Sequence, residues 1–553
     1  MPPKSKSAAK KKDKRSDEAR VWWKHGVIYQ IYPRSFLDAN GDGIGDIAGI
    51  TQKLDYIKDL GVDGVWLSPI NTSPMYDFGY DISDYRGIEP IFGTSADFDR
   101  FIREAHKRKM RVIMDLVLNH TSHMHPWFIE SRSSRSSAKR DWYIWHDGKN
   151  GNPPNNWMAA FGGRAWEWDE ETGQYYLHSF LKEQPDVNWR NPALKKAMWG
   201  EVKYWLDRGV DGFRLDVVNY FVKDDRWRSN PCTIGEHPRP YDMQRHIYDR
   251  NRPEMHDIAR EFRKLLDRYD ERMSVGEVYA EKPGDPELSA SYLGNGADEL
   301  HLAFDFSLIF SKWNARVFRE RVAMYDAHVP PEGWPCYVLS NHDQPRSISR
   351  IGGGRDAQAR ARVAATMLLT LRGTPFVYYG EELGMRNGAI RKRDIQDPVG
   401  KKYWPFDKGR DPERTPMQWT PGAHAGFTTG EPWLPVGADY RSANVEREEG
   451  DPGSLLEFYK SLIRLRGEKR ALHRGAWISI TELPRAVMAY YRIYREEECF
   501  VALNFKGSSR TVLVEDESLW KVIHSTHRPH GEVLTQLSFS LAGYEALVLE
   551  KIR

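Results

Sequence analysis

The chain is 553 residues long, past the roughly 250 to 300 at which one hydrophobic core stops growing, so a large domain with at least one smaller companion is expected and a small disulfide-stapled module is excluded. The composition, 40% hydrophobic and 29% charged with 20 Trp and 27 Tyr, is that of a folded globular protein and argues against wholesale disorder. Lys and Arg number 81 against 78 Asp and Glu, and the resulting +3 offers no field that would select nucleic acid or an acidic membrane surface.

Residues 1–20 form a basic leader, MPPKSKSAAKKKDKRSDEAR, with no apolar core of a secretory signal and with acids that a transit peptide avoids; it reads as a solvated, disordered segment. No run of ~18 apolar residues follows, so no membrane span is expected. Cys232, Cys336 and Cys499 stand far apart in no metal or disulfide spacing, which suits a reducing, cytoplasmic setting. Short apolar runs then recur at Val27–Tyr32, Gly64–Ser68, Arg111–Val117, Gly212–Val217, Ser274–Val278, His301–Phe306, Tyr337–Ser340 and Pro375–Tyr379. Between them lie stretches with apolar residues at three and four positions, clearest in Asp97–Arg108, Ala193–Asp207 and Glu254–Tyr269. Eight buried strands alternating with helices predict a parallel (β/α)8 barrel.

Two departures from a plain barrel stand out. About 70 residues, 119–188, separate the third strand from the next helix, far beyond a βα loop of ~2 to 6, and predict an inserted lobe over the barrel mouth. After Ser454–Lys469 the texture changes to short alternating strands such as Ala486–Tyr494 and Cys499–Phe505, which predicts a C-terminal antiparallel β domain. The expected division is a leader, 1–20; a barrel, 21–118 and 189–470; the lobe, 119–188; and the β domain, 471–553.

In such a barrel the residues ending the strands share one mouth. Here they are Asp115, Asn119 and His120 after strand three, Arg214 and Asp216 on strand four, Glu277 on strand five, and His342 and Asp343 after strand seven. Carboxylates gathered this closely raise one another's pKa, an arrangement that marks a working site. Upstream, DANGDGIGD at Asp38–Asp46 sets side-chain oxygens at positions 1, 3, 5 and 9 around a glycine turn, as a hard cation requires, although Gly49 at position 12 excludes an EF-hand.

The segments DLVLNH (Asp115–His120), GFRLDVV (Gly212–Val218), GEVY (Gly276–Tyr279) and SNHDQPR (Ser340–Arg346) resemble, in order, the four signature segments of the α-amylase family of glycoside hydrolases. QPDVNW (Gln184–Trp189) and GTPFVYYGEELGM (Gly373–Met385) are similar to two further signatures, and the resemblance spans about Val27 to Trp419. It implies a retaining α-glucosidase with Asp216 as nucleophile, Glu277 as general acid and base, and Asp343 as transition-state stabiliser. Arg214, two residues before Asp216 on the same strand face, is expected to hold it ionised while Glu277 stays protonated.

The same resemblance implies a first glucose pocket of Asp81, which would hydrogen-bond the 4- and 6-hydroxyls, with Tyr80, His120 and His342. Arg410 would close it, and Phe161 and Phe180 would be apolar walls. A pocket closed at one end implies exo cleavage of short oligosaccharides. For the Asp38–Asp46 loop it implies structural Ca2+, or Mg2+, on Asp38, Asn40, Asp42, the Ile44 carbonyl and Asp46. Val217, directly after the nucleophile, accompanies α-1,6 activity in this family, whereas the segment Pro238–Pro253 looks more like members favouring short α-1,4 substrates. A transglucosylase or isomerase, of the sucrose isomerase or trehalose synthase type, would share every acid, although the sucrose isomerases' RLDRD-type segment is missing. The heavy chains of amino-acid transporters are the non-enzyme alternative, but they need a membrane span. A monomer or homodimer acting on a small oligosaccharide is expected.

Overall fold

The computed structural model describes residues 19–234, 239–281, 284–352 and 354–552. Nearly all of the basic leader, the cation-rich stretch included, lies outside the described residues, as does Pro238 at the head of the Pro238–Pro253 segment. Eight parallel strands, β1 (Ile28–Ile31), β2 (Gly64–Leu67), β3 (Arg111–Leu116), β4 (Gly212–Leu215), β5 (Met273–Gly276), β6 (Leu302–Ala303), β7 (Cys336–Val338) and β8 (Thr374–Tyr378), run in the order β6-β5-β4-β3-β2-β1-β8-β7. A parallel bridge between Asp305 and Tyr337 joins β6 to β7 and closes the ring. Each strand is followed by a helix of the outer ring, with shorter helices in some of the connections: α1 (Leu54–Leu60), α2 (Ser95–Lys107), α3 (Pro192–Asp207), α4 (Glu254–Leu266), α5 (Pro286–Ser291), α6 (Ala315–His328), α7 (Ala357–Thr370) and α8 (Leu455–Glu468). The (β/α)8 barrel read from the sequence is the fold.

The strands are apolar on both faces because both faces are covered. Ile28, Trp66, Ile113, Met273, Val275, Leu302, Cys336, Val338 and Phe376 point inward and fill the barrel. Their neighbours Tyr29, Val65, Val112, Phe213 and Val377 point outward into a second core beneath the helices. Helix starts follow the capping chemistry of the sequence: Thr94 and Asp97 form a capping box on α2, and Asn191 caps α3 ahead of Pro192. The ladders stop earlier than the apolar runs suggest, as on β4, where the chain leaves the sheet after Leu215 and turns through a left-handed Val217.

Between β3 and α3 the chain builds a three-stranded antiparallel sheet, Trp145–His146, Gln174–Leu177 and Trp166–Asp169, over a small core of Ile144, Trp157, Ala165, Trp166 and Leu177. After α8 an antiparallel sheet of six strands runs from Ala476–Ile480 to Ala546–Ile552, beside a two-stranded ribbon of Arg510–Leu513 and Ser538–Leu541. It docks on α7 where the Tyr490 and Thr370 hydroxyls meet at 2.6 Å. Among the described residues no helix is long and apolar enough to cross a membrane. The three cysteines are free, with Cys336 and Cys499 buried as core.

Candidate active site

The inward register of the strands, continued through and beyond their ends, delivers the acids to the mouth. Ile113 leads to Asp115, Val275 to Glu277, and Val338 through Ser340 to His342. Arg214, itself inward on β4 and buried, is the hub: Nη1 lies 2.8 Å from Asp115 Oδ1 and 2.8 Å from Asp216 Oδ1, and Nη2 lies 2.6 Å from Glu277 Oε2. Glu277 Oε2 also accepts the Val217 amide at 3.2 Å, and Oε1 accepts the Tyr279 hydroxyl at 3.2 Å. One guanidinium cannot neutralise three carboxylates. Burial first raises all three: Asp216 rises further by repulsion from Glu277 and Asp115, Glu277 by repulsion from Asp343, and Asp115 goes up to about 6. Coupled this closely, the three titrate as a unit.

Asp343 lives in the opposite environment. Burial opposes its ionisation, yet it faces His342 Nε2 at 3.2 Å, Arg414 Nη2 at 2.7 Å and Arg410 Nη1 at 3.3 Å, and these neighbours hold it well below the usual carboxylate range. Both guanidiniums are permanently charged, whereas burial keeps His342 neutral, its Nδ1 2.8 Å from Gln30 Nε2 and its ring stacked on Tyr80. The Tyr80 hydroxyl joins the two acid groups, bonding His342 Nε2 and donating to Asp115 Oδ2 at 3.1 Å. His120 is buried and pushed down to about 4, with its ring 5.3 Å from Phe180.

The pocket acid assigned to Asp81 needs correction. Asp81 is fully buried, and its carboxylate is spent on the Ser73 hydroxyl and the amides of Tyr76 and Asp77, at 2.9 to 3.0 Å. It anchors the turn that carries Asp77. Asp77 is the carboxylate that meets Arg410, Oδ1 to Nη2 at 2.7 Å, with Oδ2 accepting from Gln184 at 3.1 Å. YDFGYD presents two aspartates four residues apart, and only the partner on Arg410 separates them. Arg414 was likewise missed, although GRDPERT places it four residues after Arg410. Arg410 is itself fixed by Asp397 at 2.6 Å and lies over the Phe161 ring, which packs on Phe180, which packs on Tyr220. An aromatic wall thus runs along the mouth from Arg410 toward the loop after β4. Gly162 beside it has a positive φ, and a Cβ there would sit 1.9 Å from the Tyr403 hydroxyl, so that position tolerates only glycine.

A β-branched residue with φ of 37° is a strained exception, and Val217 holds that conformation next to Asp216 with its amide on Glu277. Six residues on, Lys223 is buried with Nζ 2.9 Å from Asp186 Oδ2 and 3.0 Å from Asn119 Oδ1, and Asp186 also accepts the Ser179 amide. This buried pair joins the lobe to the barrel behind His120. Lys223→Met, which leaves Asp186 charged and unpaired, is expected to cost about 3 to 5 kcal/mol of stability. The check is a clear drop in the calorimetric unfolding midpoint; an unchanged midpoint would mean that lobe and barrel are held elsewhere.

The expected Ca2+ loop is overturned. No group of three or more His, Cys, Asp or Glu that could hold a metal ion occurs among the described residues. Asp38 Oδ1 accepts the Asn40 and Gly41 amides, and its Oδ2 the Gly43 amide and the Thr428 hydroxyl. Asp46 caps the following helix through Gly49 and also accepts the Ala39 amide, and Asn40 and Asp42 accept the amides of Asp42 and Ile44. The oxygens that the spacing offered to a cation, on Asp38, Asn40, Asp42 and Asp46, are used to fold the loop, as Asx turns do.

A family model described as alpha amylase, catalytic domain, matches residues 30–475. A probable alpha-glucosidase of Rhizobium meliloti (strain 1021) is 45% identical over 505 residues, covering 89% of this chain and 91% of that protein. An oligo-1,6-glucosidase of Parageobacillus thermoglucosidasius is 42% identical over 534 residues, covering 91% and 93%. The crystal structure of an alpha-glucosyl transfer enzyme, XgtA, superposes with a TM-score of 0.91 at 40% identity, covering 97% of this chain and all of that one.

Proposed function

The chain belongs to the α-amylase family and is an enzyme acting on α-glucosides, and from that premise we propose that it is a retaining, exo-acting α-glucosyl-transfer enzyme. It removes the terminal non-reducing glucosyl residue of a short α-glucoside and passes it to a sugar hydroxyl, with water as the competing acceptor. Asp216 attacks C1 as the C1–O bond breaks, and Glu277 gives its proton to the departing oxygen. The covalent β-glucosyl ester on Asp216 is then opened by the acceptor, whose proton returns to Glu277, restoring the α configuration. Asp343 and Arg214 face the positive charge that develops at the ring and the carboxylate that attacks it.

The observation that carries this reading is the single guanidinium spanning Asp216 and Glu277, with bonds of 2.8 and 2.6 Å. Retaining enzymes hold their carboxyl groups ~5 to 5.5 Å apart, whereas inverting ones need ~6.5 to 9.5 Å to admit a water between them. Exo action is supported by Asp77, Asp397 and Asp343 around Arg410, which close one pole of the site. Transfer is supported by the similarity to XgtA and by the burial of Asp216 and Glu277, which limits the water around the reacting pair. The names of the curated relatives favour a second reading, hydrolysis with water as the main acceptor.

Incubation with maltose, isomaltose, sucrose and trehalose side by side, with chromatography of every product, tests the proposal. New di- and trisaccharides early in the reaction are expected, and glucose with the released partner sugar as the sole products would overturn transfer in favour of hydrolysis. The same comparison reads the linkage preference. Asp77→Asn, which removes one charge from the closed pole, is expected to lower kcat/KM by about 30- to 1,000-fold, the cost of breaking a buried charge pair. Unaltered kinetics would place the terminal glucose elsewhere.

A further inference from the structure

The aromatic wall ends on a buried polar cluster that the chemistry above does not use. Tyr220 lies three residues after the strained Val217, its ring 5.6 Å from Phe180, on the side of Phe180 away from the Arg410 pole. Its hydroxyl meets the Tyr241 hydroxyl at 2.6 Å, and Arg250 Nη1 donates to both, at 3.1 Å to Tyr241. The guanidinium also lies over the Tyr220 ring, 5.1 Å from its centroid. Arg250 is only 5% exposed, and its Nε has no partner within the protein. Tyr241 is held from behind by His246, whose ring stacks on it at 3.9 Å and is fixed by Asp249 at 2.6 Å. A buried arginine normally satisfies its donors. One that spends a single nitrogen on two tyrosine hydroxyls holds those rings in place and keeps a donor in reserve beside them.

We propose that Arg250 is a positioning residue for the acceptor side of the site, locking Tyr220 and Tyr241 together so that Tyr220 seats the second sugar at the open end of the aromatic wall. The inference rests on the reading of Asp216 and Glu277 as the reacting pair, because that reading makes the Arg410 end the closed one. A tyrosine held at its hydroxyl presents a fixed ring face to a sugar, and fixing it beforehand removes an ordering cost from binding.

The test separates the two sides of the site by choice of donor. α-Glucosyl fluoride leaves as fluoride and needs no second sugar, whereas maltose and isomaltose do. Arg250→Met and Tyr241→Phe are compared with wild type on all three, with thermal midpoints measured alongside. For Arg250→Met the expected result is a KM rise of about tenfold or more on the preferred disaccharide, the effect of losing a charge-assisted hydrogen bond. The loss of kcat/KM on the fluoride is expected to be several-fold smaller, and the share of transfer products lower. Arg250→Lys should restore part of the disaccharide KM. Tyr241→Phe keeps the ring and should shift KM in the same direction, so the test stands even where Arg250→Met folds poorly. Equal losses on fluoride and disaccharide, or an unchanged disaccharide KM in both variants, would overturn the assignment. A wild-type enzyme that cleaves none of the donors would instead overturn the underlying reading of the site.

Discussion

Asp216→Ala is expected to lower kcat/KM on short α-glucosides by about 10,000-fold or more, the scale of losing a group that reacts only in the transition state. Azide is expected to restore part of the turnover and to yield β-glucosyl azide. The fold should survive, because Arg214 keeps Asp115 and Glu277 as partners at 2.8 and 2.6 Å. The space vacated by the carboxylate lies on the face of C1 opposite the leaving oxygen, so an anion entering there attacks with a single inversion, and the anomeric outcome reports the geometry. Removing Asp216 also removes a charge that repels Glu277 across Arg214. The alkaline limb of the rescued pH profile should therefore move to lower pH. Near wild-type turnover without azide would remove Asp216 from the chemistry, and an α-azide product would mean that the nucleophile attacks from the other face.

The sequence carried the scaffold further than the contacts. Short apolar runs made the eight strands readable, and the in-and-out alternation of side chains along an extended chain, continued beyond the runs, aims Asp115, Glu277 and His342 at one mouth, because period two is a property of the chain alone. Where two residues of one type compete, spacing is silent. Asp77 and Asp81 differ only in which one meets Arg410, more than 300 residues away, and which one is used to fold its own turn. The Asp38–Asp46 loop failed for a related reason. An oxygen pattern suited to a cation is equally suited to a run of Asx turns, and the choice rests on amides and on Thr428, which a local spacing cannot see. Arg250 was invisible too, since its partners, Tyr220 and Tyr241, are defined only once the loop after β4 turns back on itself.

Glu277→Gln is expected to divide the substrates by leaving group, and the size of that division measures the acid. Protonation of the departing oxygen is worth ~100- to 10,000-fold in general acid catalysis, so a disaccharide should lose about that much, while α-glucosyl fluoride, whose leaving group needs far less protonation, should keep most of its first-step rate. The pH profile gives the independent reading. Burial first, and the negative charge of Asp343 second among the causes that raise it, lift the Glu277 pKa against the pull of Arg214. The first step needs the protonated form, so wild-type activity is lost as pH rises through the folded pKa. The amide that replaces the carboxyl in Glu277→Gln is neutral at every pH, and the alkaline limb on disaccharide should vanish from the variant. Arg214 still bonds Asp216, so the variant should accumulate a glucosyl-enzyme from the fluoride, visible as added mass on the intact protein. Retention of the alkaline limb in Glu277→Gln would assign that titration to another group, with Asp115, raised to about 6 on the same guanidinium, the next carboxyl to substitute.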